Sequence, residues 1–320
     1  EDDKVSVMAG LRGGYTLGSP LCLQIANIDS ENWKSRMDPI LEPQGGIVTA
    51  PRPGHADYPG AVKYGFQDIR NVIERASARE TAMRTAIGAI ARQILKTKGI
   101  EIYSRVMRLG PIDISLGQIE EEVLQHGKQY AYGIEDNEAE SRAETLIEEC
   151  RSSGTSVGGI VEVVAFNVPV GLGSYAHYER RLDGQIAQAL MSIPGVKGVE
   201  FGCAFELASS PPGVPGDSLR LNEHQQIVYA GNINGGLAGG VSTGQPLVVK
   251  CAIKPIPTAM YGDSVDIATL APVRGVKERS DVTAVPAVRV IAENVLAWIL
   301  LVAVLTDGPE ANSQLAYPQS

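Results

Sequence analysis

The chain has 320 residues, of which 44% are hydrophobic and 20% are charged, and its formal net charge at pH 7 is -9. This composition supplies enough apolar material for a buried core and excludes a disordered or fibrous protein. The acidic balance argues against a nucleic-acid partner, because binding to a phosphate backbone depends on a surplus of Lys and Arg.

Cysteine spacing and hydropathy indicate the cellular compartment in which the protein is expected. The cysteines lie far apart with no CxxC spacing, which argues against a metal site and a disulfide scaffold: Cys22, Cys150, Cys203 and Cys251. The longest strongly apolar stretch, Val295 to Leu305, has about half of the ~20 residues that a helix needs to cross a bilayer. We therefore expect a cytoplasmic protein that binds no metal and no membrane.

The first elements in chain order are two strands, Val5 to Met8 and Leu21 to Ile25, joined by the glycine-rich turn LRGGYTLGSP. Apolar residues then recur at helical spacing from Ile69 to Leu95, but the phase breaks near Ser77. The sequence Ser77-Ala-Arg-Glu80 has the form of a capping box, in which the serine oxygen accepts from backbone N–H groups and the glutamate reaches back. We expect one helix before Ser77 and a longer one after it.

The second half of the chain alternates between helical and strand patterns. Helices are predicted at Asp136 to Arg151, Glu179 to Ser192 and Val288 to Leu305, and strands at Gly158 to Val168, Val196 to Phe201 and Gln245 to Ile256. In the last strand, alternate residues (Leu247, Val249, Cys251, Ile253) are expected to face the core, and Lys250 and Lys254 to form a basic rim. No long linker interrupts the pattern, so we expect one α/β domain covering residues 1–320.

Arginines accumulate between residues 50 and 92 of this acidic chain. Their planar guanidinium groups suit carboxylate or phosphate ligands, although charge alone would favour a solvated helix face: Arg52, Arg70, Arg75, Arg79, Arg84 and Arg92. A separate pattern, Gly171-Leu-Gly173-Ser-Tyr-Ala176, fits the glycine fingerprint of dinucleotide-binding folds. However, Pro169 interrupts the strand, and Glu200 lies 29 positions from Gly171 where the ribose-binding acid is expected ~20 residues on.

Four longer blocks are far more specific. They are RPGHADYPGAVKYGFQDIRNVIERASARETAMRTAIGAIA from Arg52, SVGGIVEVVAFNVPVGLG from Ser156, GGLAGGVSTGQPLVVKCAIKPIPT from Gly235 and RSDVTAVPAVRVIAE from Arg279. Together with LRGGYTLGSP and ALMSIPGVKGVEFG, these blocks resemble the chorismate synthases from Glu1 to about the end of the last helix. One small departure is Ser242-Thr243-Gly244, where the family usually has Ser-Asn-Gly.

The resemblance implies a fold, a reaction and a cofactor. The implied fold is a single α/β domain, a β-α-β sandwich with helices between antiparallel sheets, assembled as a homotetramer. The implied reaction is the anti-1,4-elimination of phosphate from 5-enolpyruvylshikimate 3-phosphate to give chorismate, the final step of the shikimate pathway. This reaction requires reduced FMN without net redox change. The resemblance also implies an external flavin reductant, with NADP as the associated nicotinamide nucleotide.

The resemblance also assigns roles to particular residues. His55 matches a histidine placed beside the reduced flavin as an acid/base partner, and Asp281 matches a carboxylate that helps to remove a proton by way of the flavin. Arg52, Arg79 and Arg279 match arginines that hold the anionic substrate. The matching flavin-binding positions are Arg75, Ala76, Ser77, Gly239, Lys254, Pro255, Ile256, Pro257, Thr258, Arg279 and Ser280. Among them, Lys254 to Thr258 match the loop that binds the flavin phosphate.

Two other interpretations stay open at the level of sequence. The family carries a second histidine in an N-terminal GESHG motif and arginines in a GYGR region, and neither motif occurs in this sequence, which opens at Glu1. An inactive or truncated homologue that binds flavin or phosphate is therefore one alternative. A nicotinamide-dependent oxidoreductase built around Gly171 to Ala176 is the other.

Overall fold

The computed structural model describes residues 3–42, 44–114, 132–134, 136–213, 216–257, 262–275 and 281–307. The strands in these ranges are β1 Val5–Ala9, β2 Leu11–Arg12, β3 Tyr15–Thr16, β4 Cys22–Ile25, β5 Glu101–Leu109, β6 Ile112–Asp113, β7 Gly159–Phe166, β8 Val196–Phe201, β9 Leu219–Leu221, β10 Ile227–Tyr229, β11 Leu237–Ala238, β12 Val241–Ser242, β13 Leu247–Ile253, β14 Asp263–Val265 and β15 Pro272–Arg274. The helices are α1 Ser30–Trp33, α2 Asp57–Tyr64, α3 Arg70–Arg75, α4 Thr81–Thr97, α5 Asn137–Ser153, α6 Leu182–Met191, α7 Ala204–Ser209 and α8 Val285–Asp307, with 3-10 turns at Ala78–Glu80 and Tyr178–Arg180.

The chain divides into two compact units. The smaller unit comprises Glu1–Ala86 and Pro257–Ser280, and the larger unit comprises Ile87–Ile256 and Asp281–Ser320. Helices combine with antiparallel sheets, which confirms the predicted α/β class. The count of one domain stays a prediction.

The larger unit is built on a five-stranded sheet with the order β6-β5-β7-β13-β8, in which every neighbouring pair is antiparallel. The strands predicted at 158–168, 196–201 and 245–256 are confirmed as β7, β8 and β13. The alternation in β13 is confirmed as well, because its four predicted core residues are all buried. Burial raises the pKa of the Cys251 thiol to about 12, so this group is a neutral core side chain.

The opposite face of this sheet carries a row of charged side chains across four strands. Arg105 on β5 stands opposite Glu162 on β7, Glu162 opposite Lys250 on β13, and Lys250 opposite Glu200 on β8. Arg105 and Glu162 form a buried ion pair at 2.7 Å, and Lys250 lies 3.3 Å from Glu200. The predicted basic rim is therefore wrong at Lys250, because cross-strand register places this residue between Glu162 and Glu200 and its amine pairs with Glu200.

Helix α8 covers the face of the sheet that carries the buried core residues of β13, and it packs on β5, β7 and α6. Its 23 residues are apolar enough to cross a membrane by length and composition, yet more than half of that stretch is buried inside the protein. Glu293, near the middle of α8, accepts from Arg92 on α4 at 2.6 Å and from Ser104 on β5 at 2.5 Å. These contacts are those of a core helix whose one buried carboxylate is paired.

Gly88 on α4 allows a close helix contact within the larger unit. A Cβ atom at this position would stand 2.2 Å from the backbone oxygen of Asn294 on α8. We expect Gly88→Ala to lower the free energy of unfolding by about 1–3 kcal/mol, because backbone must move to admit the methyl group. Gly184 on α6 is the matched control: a Cβ there meets nothing closer than 3.9 Å, so Gly184→Ala should stabilise by about 0.5–1 kcal/mol. Denaturant unfolding would check both signs.

The glycine pattern at residues 171–176 serves packing and does not begin a dinucleotide-binding helix. Strand β7 is separated from β8 by β13, and all neighbours in the sheet are antiparallel, unlike a doubly wound parallel sheet. Gly171 donates to the backbone of Ser242 at 3.0 Å, and a Cβ at Gly173 would lie 2.5 Å from the backbone oxygen of Gly240. The nicotinamide-binding interpretation of this motif is therefore wrong.

The smaller unit contains the predicted N-terminal strands as the antiparallel pair β1 and β4. The break near Ser77 is confirmed, since Ser77 Oγ accepts from the backbone N–H of Arg79 at 3.2 Å. The reciprocal half of the capping box is wrong: Glu80 accepts from Arg84 Nε at 2.9 Å. The helical segment starts here with the 3-10 turn Ala78–Glu80. Glu80 and Arg84 are four residues apart, a spacing at which two side chains on a helix can contact each other.

Candidate functional site

The loop before α2 carries two of the predicted site residues, Arg52 and His55, in the smaller unit. Arg52 gives three hydrogen bonds to the carboxylate of Asp57, the first residue of α2. Its backbone N–H and its Nε reach Oδ2 at 2.9 and 2.8 Å, and its Nη2 reaches Oδ1 at 2.9 Å. Asp57 is fully buried and the Arg52 side chain is 12% exposed. Asp57 was not singled out by the sequence, although it stands only five residues after Arg52.

The protonation state of Asp57 follows from these contacts. Burial alone would raise the pKa of its carboxyl group, but the hydrogen bonds and charge of Arg52 outweigh burial, with a smaller contribution from His55. The net pKa lies below the usual value for aspartate. The carboxylate is therefore ionised in the folded protein, and it holds one edge of the guanidinium of Arg52 while leaving Nη1 unclaimed by Asp57.

The imidazole of His55 is oriented by its own loop. Its Nδ1 lies 3.1 Å from the backbone oxygen of Pro53. A carbonyl oxygen can only accept, so Nδ1 must carry the proton in this hydrogen bond. The other nitrogen, Nε2, is then the atom that can give or take a proton toward a ligand. This geometry suits the acid/base role that the resemblance assigns to His55.

Glycines let the rest of the smaller unit approach this loop closely. A Cβ at Gly54, whose φ is +75°, would lie 2.9 Å from Pro257, one of the predicted flavin-binding residues. Cβ atoms at Gly262 and Gly275 would lie 2.7 and 2.9 Å from Pro53. The structure therefore brings Pro257 against the His55 loop, and places both ends of the 262–275 segment around the same loop.

Arg79 binds a carboxylate end-on in this structure. Its Nη1 and Nη2 donate to Oδ2 and Oδ1 of Asp3 at 2.5 and 2.6 Å. This hydrogen bond is the main reason that the pKa of Asp3 lies below its usual value. The contact demonstrates that the guanidinium of Arg79 can present two parallel donors to a carboxylate, as the proposed substrate role requires.

The predicted flavin contacts Arg75, Ala76 and Ser77 lie exposed at the end of α3 and the turn that follows. Ser77 also lines a cavity of about 550 Å³ between α3 and the segment around α1. Trp33 lies in this cavity wall, with the guanidinium of Arg70 5.2 Å from its ring centroid. The three predicted residues are thus accessible to a ligand, and Ser77 shares a cavity with an aromatic side chain.

The predicted phosphate loop is Lys254 to Thr258, and its first three residues, Lys254 to Ile256, lie in the larger unit directly after β13. Its backbone is fixed by Ser156, whose Oγ donates to the Ile256 oxygen at 2.7 Å, and by Gly158, where a Cβ would stand 2.3 Å from the oxygen of Ile253. Burial and the nearby amine of Lys197 lower the pKa of Lys254. A bound anion would stabilise the charged form of these two neighbouring amines, which suits a phosphate-binding site.

Asp281 is exposed in the larger unit and lies next to the segment that supports this loop. The backbone N–H of Val157 donates to the oxygen of Val282 at 3.0 Å. The segment 156–159 therefore touches both the Lys254 to Ile256 loop and the residue that follows Asp281. Ser156, Gly158 and Lys197 were not predicted as site residues, because only their neighbours across the sheet reveal this role.

Gly239 lies elsewhere in the larger unit, at the two-residue turn between β11 and β12. Its φ of +60° and that of Gly240, +90°, suit the glycines of a tight hairpin. A Cβ at Gly239 would meet nothing within 4 Å, and the residue lines a cavity of about 630 Å³ with Asp183 and Asn234. Among the described residues, Gly239 and the Lys254 to Ile256 loop thus have different neighbours. Thr258, Arg279 and Ser280 lie outside the described residues.

Comparison with known proteins gives a single family. A family model described as "Chorismate synthase" matches residues 1–305. The chain is 47% identical over 307 residues to the chorismate synthase of Moorella thermoacetica, covering 95% of this chain and 80% of that protein. It is 45% identical over 311 residues to chorismate synthase 2 of Bacillus cereus, covering 94% and 79%. A crystal structure of a chorismate synthase superposes with a TM-score of 0.75 at 35% identity, covering 95% of this chain and 78% of that one.

Proposed function

The chain belongs to the chorismate synthase family of carbon–oxygen lyases, and from this premise we propose that it converts 5-enolpyruvylshikimate 3-phosphate to chorismate and phosphate. In this anti-1,4-elimination one C–H bond and the C–O bond to phosphate break, and no net oxidation or reduction occurs. The observation that carries the proposal is the family match over residues 1–305.

The substrate is strongly anionic, since it carries two carboxylates and a phosphate, and the proposed substrate contacts are arginines. Arg79 already holds a carboxylate with two Nη donors, and Arg52 is held rigidly with Nη1 left for a ligand. Arg279 is proposed as a third contact on the resemblance alone. Fixed guanidinium groups stabilise an anionic substrate and its leaving phosphate without reorganising during the reaction.

Reduced FMN is the proposed cofactor. The chain offers features that fit it: the fixed loop Lys254 to Ile256 with a second amine nearby, the open space beside Gly239, and the exposed residues Arg75, Ala76 and Ser77. Pro257, Thr258, Arg279 and Ser280 complete the proposed contacts by resemblance. When bound, reduced FMN supplies an electron transiently and recovers it, so that none is consumed.

We assign the proton chemistry to two side chains. With Nδ1 donating to the Pro53 oxygen, the doubly protonated ring of His55 donates a proton or a hydrogen bond from Nε2 toward the cofactor. Asp281 takes up the proton that leaves the substrate. An exposed carboxylate can exchange that proton with solvent after each turnover.

Other parts of the proposal rest on family resemblance. They are a homotetrameric assembly, a single catalytic domain, a cytoplasmic location, and an external source of reduced flavin, with NADP as the associated nicotinamide nucleotide. Sedimentation of the purified chain would test the assembly. Flavin reduction measured with and without NADPH would test whether the chain reduces its own cofactor.

The decisive experiment is anaerobic turnover of 5-enolpyruvylshikimate 3-phosphate with chemically reduced FMN, followed by chorismate absorbance on protein of known intact mass. Chorismate formation that depends on reduced flavin is the expected result. A folded chain that binds FMN but forms no chorismate would overturn the lyase proposal and favour the non-catalytic, flavin-binding alternative.

The phosphate loop gives a separate prediction about FMN affinity. Replacing Lys254 by Met should weaken FMN binding by about tenfold to about a hundredfold, because a charge-assisted hydrogen bond to phosphate is lost. Riboflavin, which lacks the phosphate, should bind the variant and the parent chain equally. Lys96, which is 73% exposed and pairs with Glu101, provides the control Lys96→Met. Equal losses with FMN and riboflavin would contradict a phosphate role for Lys254.

A further inference from the structure

Asp57 is a buried carboxylate that the proposed reaction does not use. Its side chain is 0% exposed, and it accepts three hydrogen bonds from Arg52: one from the backbone N–H and two from the guanidinium. Carboxylates are almost never fully buried unless they are paired, because leaving water is costly. A residue maintained at such a cost calls for a role that a hydrophobic side chain could not fill.

Capping of helix α2 does not account for this carboxylate. Asp57 is the first residue of α2, but the residue at the N-cap is Ala56, and no side chain caps the helix there. Both carboxylate oxygens instead point at Arg52. The burial of Asp57 therefore serves the position of one arginine.

The pairing fixes both the side chain and the backbone of Arg52. Nε and Nη2 occupy the two carboxylate oxygens, so the guanidinium plane is set and Nη1 is the terminal nitrogen that Asp57 leaves for another partner. A free arginine side chain would lose its rotamer freedom only when the ligand binds, and that loss would weaken affinity. In this protein the rotamer freedom of Arg52 is lost on folding, so its loss does not weaken substrate binding.

The same carboxylate closes the loop that contains His55. Its Oδ2 accepts from the Arg52 backbone N–H, and the backbone N–H of His55 points back to the Arg52 oxygen at 3.4 Å. Nδ1 of His55 is set by Pro53 within the same short loop. Asp57 thus ties the first residue of this loop to the start of α2, with His55 between them.

We propose that Asp57 is a positioning residue for the reaction: it orients Arg52 so that the guanidinium meets an anionic group of the substrate already aligned. The inference rests on the proposed function, in which Arg52 contacts the substrate. Asp57 itself touches neither substrate nor cofactor. Its loss should therefore act on substrate binding through Arg52.

The test is a double-mutant cycle on the full chain, with chorismate formation measured at saturating reduced FMN. Asp57→Asn should raise the KM for substrate about tenfold or more and lower kcat much less, and Arg52→Ala should raise KM at least as far. The double variant should raise KM no further than Arg52→Ala alone, because Asp57 acts on substrate binding through the guanidinium of Arg52. Additive losses would contradict the proposal.

Asp68→Asn is the matched control. Asp68 lies in the same unit and accepts from the backbone N–H groups of Val48 and Arg70 at 3.0 and 2.9 Å, and it has no part in the proposed reaction. Its replacement should leave KM unchanged at a temperature where the variant is folded. A KM for Asp57→Asn equal to that of Asp68→Asn would overturn the proposal.

Two further measurements separate the possible failures. If Asp57→Asn does not fold, Asp57→Glu retains the charge but displaces the guanidinium, and a parental KM in that variant would overturn the proposal. Calorimetric titration with 5-enolpyruvylshikimate 3-phosphate reports substrate affinity without turnover. A parent chain that makes no chorismate would sink the proposed function, whereas a substrate Kd that is unchanged by Asp57→Asn would sink the positioning role alone.

Discussion

Replacement of Asp281 by Asn should lower the turnover number by about a hundredfold or more while the affinity for FMN stays unchanged. General acid–base groups contribute about 10²- to 10⁴-fold to a reaction, and the amide has nearly the same shape as the carboxylate but cannot accept the departing proton. Asp281 is exposed, and its neighbour Val282 is held by Val157, so the substitution leaves the local backbone contact in place. Anaerobic steady-state kinetics and a flavin titration would measure the two effects.

Asp307 provides the control for this experiment. It lies at the last position of α8, while Asp281 precedes Val285, the first residue of α8, so the two carboxylates are separated by the whole helix. Asp307→Asn should retain the parental turnover number. If Asp281→Asn also retained it, Asp281 would have no part in proton removal, and the proton would have to leave by another group.

Replacement of His55 should have the second large effect, and two amides can separate its possible roles. In His55→Asn the side-chain N–H can still bond to the Pro53 oxygen, which preserves the loop, but nothing stands at the position of Nε2. In His55→Gln an N–H donor can reach the position of Nε2, but it cannot transfer a proton at neutral pH. We expect a kcat loss of about 10²- to 10⁴-fold in His55→Asn.

The glutamine variant then distinguishes proton transfer from hydrogen bonding. If His55 transfers a proton, Gln should be as inactive as Asn, and the ionisation of His55 should disappear from the pH–rate profile. If His55 only polarises its partner, Gln should recover much of the rate. Parental activity in both variants would remove His55 from the chemistry.

The elements of the larger unit were predictable because burial imposes a period on the sequence. In β13 every second residue from Leu247 to Ile253 is buried in the core, and the strand at 158–168 is an apolar run with most of its side chains buried. The break at Ser77 was predictable for a local reason, since a serine there meets backbone N–H groups of the same turn. The partner of Glu80 was not, because a 3-10 start changes which groups lie within reach.

The site was predictable only in part. The motif blocks point to the family and hence to His55, Arg52, Arg79 and Asp281, but not to the groups that hold them. Asp57 as the buried partner of Arg52 emerges only once the loop is folded back on α2. The same is true of Ser156, which fixes the Ile256 backbone from 100 residues away.

By itself the sequence determined the α/β class, the positions of the main strands and helices, and membership of the chorismate synthase family. The reason is that hydrophobic periodicity and sequence motifs are local properties of consecutive residues. The tertiary structure decided which charges meet. It placed Lys250 between Glu162 and Glu200, buried Asp57 against Arg52, and turned the 171–176 glycines into packing contacts. Those outcomes depend on strand register and on distances through space, and residues remote in sequence acquire a distance only when the chain has folded.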